Sequence, residues 1–274
     1  MLTAVGIMIA FILFGLYSKL TITEYIIASE NLPEVFDGFR IVLISDLHGY
    51  TFGRNQSELI KAVEEQKPDI IVMCGDMIDK KDKTLTSRSF NGLFNLLDGI
   101  TEIAPVYAVS GNHEILLPDD VYMGLLDVYE SYGITYMHGK TVSITKDDQS
   151  ITIYSVPPKS DKAGAHWVNM NYFRKSPAGE YSILICHYGN KFDLLSKGGH
   201  DLVLAGHTHG GIIRLFGRGL IDNDGEFFPK YDKGIFTENG SIMVLSAGLG
   251  DAFILPRLFN RRELVTVVLR SAVE

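Results

Sequence analysis

The chain has 274 residues, 46% hydrophobic and 21% charged, an ordinary globular composition that is long enough to bury a large core. Its formal net charge is 25 − 33 = −8, so no global basic field attracts nucleic acid and none is expected as a partner. Its two cysteines, Cys74 and Cys186, sit inside apolar runs, which excludes a disulfide framework and predicts two buried, reduced thiols.

The first charged side chain is Lys19, after an uncharged run of about 18 residues, near the lower limit for a membrane-spanning helix. The run lacks a basic leading region, and its LYSKL end is a poor cleavage site. An uncleaved, single-pass anchor over residues 1–20 is therefore the expectation, placing the chain on a cell membrane with the bilayer as a partner. Lys19 on the downstream flank leans toward a cytoplasmic body but does not by itself set the side.

Beyond the anchor, residues 21–33 predict a strand entering a turn. In GFRIVLISDLHG the stretch Ile41 to Ser45 is almost wholly apolar, as suits a strand buried on both faces of a sheet. NQSELIKAVEEQ has helical spacing and is stopped by Lys67-Pro68. PDIIVMCGD is the next buried strand, and strand, helix, strand in this order marks a parallel crossover unit. SRSFNGLFNLLDGI predicts a helix, APVYAVSGN a strand, and PDDVYMGLLDVYESYG a helix with Asp119 or Asp120 at its start. From about Thr135 short alternating runs predict antiparallel strands joined by tight turns. YSILICHYG and HDLVLAGHTHGG return to buried strands, and GIIRL, GIFTE, SIMVLSAG and RELVTVVLR predict short ones. No internal repeat occurs. A mixed α/β sandwich, two sheets flanked by helices over residues 21–274, fits this order better than two domains.

Five apolar runs end in polar groups of one kind. IVLIS leads to Asp46-Leu47-His48, IIVMC to Gly75-Asp76, VYAVS to Gly111-Asn112-His113-Glu114, YSILIC to His187, and LVLA to Gly206-His207-Thr208-His209. In open α/β sheets, sites form beyond the carboxyl ends of strands. If these strands are parallel neighbours, all five ends meet at one edge. Alternate residues of an extended segment point the same way, so Asp46 with His48, and His207 with His209, are expected to face one point. Nitrogen and oxygen donors without thiolate suit Mn²⁺, Zn²⁺, Fe or Mg²⁺. Seven candidate ligands, Asp46, His48, Asp76, Asn112, His187, His207 and His209, are too many for one ordinary site. They suit two divalent ions sharing a bridging carboxylate, an arrangement that serves phosphoryl displacement by water.

These blocks, DLH (46–48), GDMID (75–79), GNHE (111–114), CHYG with His187 and GHTHG (206–210), resemble the signature of the calcineurin-like metallophosphoesterases. The resemblance spans about residues 39 to 250. It implies a four-layer α/β/β/α sandwich with mixed sheets, here preceded by one N-terminal transmembrane helix, and a dinuclear metal centre with Mn²⁺ favoured. By position, Asp46, His48 and His209 would hold one ion. Asn112, His187 and His207 would hold the other, with Asp76 between them. His113 would be the catalytic residue that stabilises charge or protonates the leaving oxygen, with Asp79 and Glu114 orienting the ligands. The anchor, GHTHGG and SAGLG (246–250) resemble a bacterial membrane-associated subgroup of phosphodiesterases, some of which act on nucleotide-sugar lipids. The subgroup usually has glutamine where Ile212 stands, and an Asn-Pro-like pair where Tyr188-Gly189-Asn190 stands. The expected activity is therefore hydrolysis of a phosphodiester or pyrophosphate bond, including one in a lipid-linked substrate. The alternatives are a phosphomonoesterase and a non-catalytic metal-binding scaffold of the same fold.

His138, His166 and His200 fall outside every block and are expected at the surface or in turns. The aromatics of residues 163–173 are expected to tuck onto the core rather than form a lid. Arg257, Arg261 and Arg262 are expected to be solvated. Asp222-Asn223-Asp224-Gly225 reads as a turn, since the downstream acid of a calcium loop is misplaced.

Overall fold

The computed structural model describes residues 13–161, 166–251 and 256–272. Two six-stranded sheets carry the fold. The first has the order β1-β16-β2-β3-β4-β5, built from β1 (Leu20–Ser29), β2 (Arg40–Ile44), β3 (Ile70–Cys74), β4 (Val106–Val109), β5 (Thr135–Tyr136) and β16 (Arg262–Ser271). β2 to β5 run parallel, β16 is antiparallel to β2, and β1 closes the edge parallel to β16. The second has the order β14-β15-β11-β10-β7-β6, from β6 (Thr141–Lys146), β7 (Gln149–Val156), β10 (Ser182–Tyr188), β11 (Leu202–Gly206), β14 (Gly234–Glu238) and β15 (Ser241–Leu245). Its centre, β7, β10, β11 and β15, is parallel, and hairpins to β6 and β14 flank it. Both sheets are mixed, as expected. Two short ribbons complete the strands: β8 (Pro158–Ser160) with β9 (His166–Val168), and β12 (Ile213–Leu215) with β13 (Arg218–Ile221).

The layering follows from which strand faces are apolar. β2 and β3 read IVLI and IIVMC with no exposed position because they are buried on both sides. One face packs Val42, Ile44, Ile71 and Met73 against helices α1 (Ser57–Glu65), α2 (Arg88–Ile100) and α4 (Asp119–Ser131). In α2, Phe90, Leu93, Leu96, Leu97 and Ile100 recur at helical spacing and are all fully buried. Each contributes about 1.5–3 kcal/mol by leaving water. The other face packs Ile41, Leu43, Val72 and Cys74 against Ile151, Ile183, Ile185 and Leu204 of the second sheet. The outer face of that second sheet is covered more thinly than four full layers imply. Its cluster closes on Phe192 and Leu195 of the one-turn helix α5 (Phe192–Leu195), with Val168 from the β8–β9 ribbon and Tyr231 from a loop.

Of the expected anchor, residues 1–12 lie outside the described residues. Residues 13–16 are helical, and Phe14 packs on Phe259, whose N–H bonds the Gly15 carbonyl at 2.7 Å. Among the described residues no helix is long and apolar enough to cross a membrane.

Candidate metal centre

The five polar strand ends do meet, but from two sheets rather than one. β2, β3 and β4 of the first sheet lead into Asp46 and His48, Asp76, and Asn112 with His113. β10 of the second sheet carries His187, and β11 leads into His207 and His209. The expectation of extended backbone at the two paired motifs is corrected. β2 ends at Ile44 and β11 at Gly206, and Asp46, His48, His207 and His209 have φ of 52°, 47°, 81° and 50°. They sit in left-handed turns past the strand ends, so the turn geometry, not strand alternation, aims them. Close backbone approach needs glycine here. A Cβ on Gly111 would lie 2.1 Å from Asp76 Oδ1, and one on Gly206 would lie 2.4 Å from Asp46 Oδ2.

Two sets of donors form, joined by a third. Ligand atoms of Asp46, His48 and His209 lie within 4.8 Å of one another, as do those of Asp76, His187 and His207. A third such trio, His48, Asp76 and His113, links them. In the first set His209 Nε2 is 3.3 Å from Asp46 Oδ1 and 3.2 Å from His48 Nε2. In the second His187 Nε2 is 3.0 Å from Asn112 Oδ1, 3.3 Å from Asp76 Oδ2 and 3.2 Å from His207 Nδ1. All seven residues are buried except His48, whose side chain is only 4% exposed. Two imidazole pairs facing each other beside buried carboxylates are the donor set of a divalent cation, and His48 Nδ1 is a buried atom without a hydrogen-bond partner among the described residues. The residues present fit the two ions that the resemblance implies.

The surroundings fix the tautomers. His187 Nδ1 is 2.7 Å from the Cys74 carbonyl, which can only accept, so Nδ1 carries the proton and the Nε2 lone pair faces the cluster. His113 is the reverse case. Its Nδ1 accepts the Lys80 N–H at 3.2 Å, leaving the proton on Nε2, 4.0 Å from Asp76 Oδ2. Its backbone N–H also donates to Asp76 Oδ1 at 2.8 Å.

Electrostatics within the cluster are strong. Burial alone would raise the Asp46 carboxyl, but His209 beside it outweighs this and holds it below the usual carboxylate range. Asp76 is likewise held well below, because His187 and His113 overcome its burial. Burial pushes the His48 imidazole down to about 3 and lowers His113 and His209. For His187 burial is overcome by Asp76, and its imidazole rises to about 10. Asp46 and Asp76 are thus charged and the His48 and His209 imidazoles neutral, the protonation states a cation requires of these ligands, whereas His187 is held protonated by Asp76 and would release its Nε2 proton as an ion binds.

Glu114 and Asp79 differ in kind. The buried Glu114 carboxylate accepts the N–H groups of Asp76 at 2.8 Å, Met77 at 2.7 Å, Ile78 at 3.3 Å and Gly111 at 2.7 Å, so it ties the GD turn to the GNHE turn. Burial and the Asp76 charge raise it to about 7. Asp79 is half-exposed and lies 3.9 Å from His113 Nδ1.

Two expectations about residues outside the motifs are corrected. Arg257 and Arg262 are buried rather than solvated, while Arg261 is exposed. Arg257 Nη2 lies 3.1 Å from His209 Nδ1 and donates to the Ala247 and Gly250 carbonyls. Arg262 packs over the Tyr50 ring and pairs with Asp251. His200 is also buried, against Tyr154 and Phe173, and within reach of the Ser182 hydroxyl and the Arg174 carbonyl. His138 is on the surface as expected. His166 opens β9, and its side chain lies outside the described residues. Phe173 tucks onto the outer core, and Trp167 is 40% exposed. The 222–225 segment is a turn, yet Asp224 Oδ2 sits 3.1 Å from His207 Nε2, a contact the sequence reading missed. The signal for Arg257 was a charge embedded in the apolar run FILPRLF.

Comparison with known proteins matches this picture. The calcineurin-like phosphoesterase pattern covers residues 39–211, and the chain belongs to that family. It is 28% identical to an uncharacterized metallophosphoesterase of Aquifex aeolicus over 95% of this chain and 97% of that protein. It is 28% identical to the uncharacterized metallophosphoesterase YkuE of Bacillus subtilis, over 91% of this chain and 85% of the other. The phosphodiesterase YaeI of Escherichia coli is 26% identical over 65% of this chain and 63% of its own length.

Proposed function

We propose that the chain is a two-metal phosphoesterase that hydrolyses a phosphodiester or pyrophosphate bond with water. The observation that carries this is the pair of donor trios, Asp46–His48–His209 and Asp76–His187–His207, meeting beside a histidine with its proton on the inward-facing nitrogen. Asp46, His48 and His209 would hold one ion, Asn112, His187 and His207 the other, with Asp76 shared. Such a pair of ions lowers the pKa of water and offsets charge on the attacking and leaving oxygens. The protein's own groups do the rest. Glu114 fixes the Asp76 carboxylate by holding its backbone, and His113 Nε2–H donates to the leaving oxygen. The diester preference is supported by similarity to YaeI, a phosphodiesterase. Manganese is the ion favoured by the resemblance, and the imidazole and carboxylate donors also suit Zn²⁺, Fe or Mg²⁺.

A narrower form of the proposal is that residues 1–20 tether the enzyme to a bilayer and that the substrate is lipid-linked. Its support is the uncharged run before Lys19.

The test is metal-dependent hydrolysis of a chromogenic diester and the matching monoester by wild type and Asp76→Asn. Loss of groups that merely orient ligands costs about 10–100-fold, so loss of the shared ligand is expected to cost more than about 100-fold, with fewer than two ions retained by elemental analysis. Equal rates for the two proteins would sink the mechanism, and a monoester preference would sink the diesterase form.

A further inference from the structure

A cavity of about 370 Å³ opens beside His48 and is lined by Lys81 and Arg88 as well as Asp79, Asp82 and Asp251. Three carboxylates share this cavity with two cations: Asp251 is offset by Arg262, while Asp79 and Asp82 keep their charge but each has an oxygen committed to a local N–H or hydroxyl donor. Asp79 Oδ1 accepts the Lys81 N–H at 3.0 Å and faces His113. Asp82 Oδ2 accepts the Asp79 N–H at 3.3 Å and the Ser89 hydroxyl. Asp251 pairs with Arg262, and its second oxygen is 3.6 Å from Arg257 Nε. Neither the Lys81 ammonium nor the Arg88 guanidinium has a hydrogen bond or ion pair among the described residues, and both are exposed. The charged donors left over in this cavity are Lys81 and Arg88.

We infer that Lys81 and Arg88 form a second anion subsite that holds a further phosphate of the substrate while the scissile phosphate sits at the metal centre. The substrate class this selects is a pyrophosphate diester rather than a diester whose two arms are uncharged. The guanidinium fork matches two phosphate oxygens at once, and the ammonium adds a point charge. Because both groups are solvent-exposed, their effect is weakened by salt. This inference rests on the phosphoesterase reading above.

The test is calorimetric titration of the metal-loaded full chain with orthophosphate and with methylenebisphosphonate, which carries two phosphoryl groups and is not hydrolysed. Wild type is expected to bind the bisphosphonate at least about tenfold more tightly. Lys81→Ala/Arg88→Ala is expected to lose most of that ratio while orthophosphate affinity changes less than about threefold, and Arg88→Lys to keep part of it. Chelation by the bisphosphonate acts on both proteins alike, so the ratio isolates the side chains. A wild-type ratio near one, or a double variant with the ratio unchanged, overturns the inference. Failure of the phosphoesterase reading shows separately, as absence of metal-dependent ester hydrolysis by wild type in a parallel assay.

Discussion

Five of the seven candidate ligands, Asp46, His48, Asp76, His207 and His209, have left-handed backbone conformations. Such conformations cost on the order of 1 kcal/mol or more each for residues other than glycine, and they persist only where the surroundings over-determine them. Here the surroundings do so through backbone hydrogen bonds. The His207 N–H donates to Asp46 Oδ2 at 3.0 Å, the Asp46 N–H to the Gly75 carbonyl at 3.0 Å, and Asn260 Nδ2 to the His209 carbonyl at 2.6 Å. Arg257 belongs to this support through the backbone, since it is buried and donates to the His209 carbonyl at 3.4 Å and to the Ala247 and Gly250 carbonyls. Arg257→Ala should therefore lower metal affinity by about 10–100-fold, checked by competition with a chelating dye. Affinity within a factor of two of wild type would remove Arg257 from the supporting role. The candidate ligands were legible as a cluster because their residue types declare the chemistry. Arg257 was not, because its contact with His209 spans 48 positions and no local pattern encodes it.

At the scale of elements, continuous apolar runs located β2, β3, β10 and β11, since strands buried on both faces carry no alternation to obscure them. The same property hid their partition into two sheets. An unbroken apolar strand reports that it is covered, not by which neighbour. The thin outer layer was also illegible, because α5 is a single turn whose cover is completed by Val168 of the short β9 and by Tyr231 of a loop. The one-turn helix α3 (Asn112–Ile115) likewise has little helical signal of its own. Its position comes from Glu114, whose carboxylate gathers backbone donors from both turns, and from Gly111, which lets the turns touch. Gly111→Ala would bring a Cβ to 2.6 Å from the Asp76 nitrogen as well as against its carboxylate. The two turns must then separate. The expected outcome is a protein with native far-ultraviolet dichroism that binds fewer than two ions. Full metal occupancy in this variant would mean that the close approach is not needed to assemble the centre.

In the whole molecule the proposed ions would cross-link the two sheets. The first sheet supplies Asp46, His48, Asp76 and Asn112, and the second supplies His187, His207 and His209, so the trios Asp46–His48–His209 and Asp76–His187–His207 each contain members of both. Between the sheets lies an apolar core that includes Cys74, which donates to the Leu204 carbonyl of the opposite sheet at 3.4 Å. Cys186 is buried on the far side of β10. Burial pushes the Cys74 thiol well up and that of Cys186 to about 12, and only the thiolate reacts. Native protein at pH 8 should therefore resist an aromatic disulfide reagent until it opens, which makes labelling a clock for separation of the layers. Ions that bind only the closed sandwich stabilise it by about 2.7 kcal/mol at a hundred times their dissociation constant. Where closing outpaces labelling, this slows thiol modification by about 100-fold. Manganese should produce that protection and raise the unfolding temperature in wild type but not in Asp76→Asn. If the ion left the labelling rate of wild type unchanged, the centre would not be holding the two sheets together.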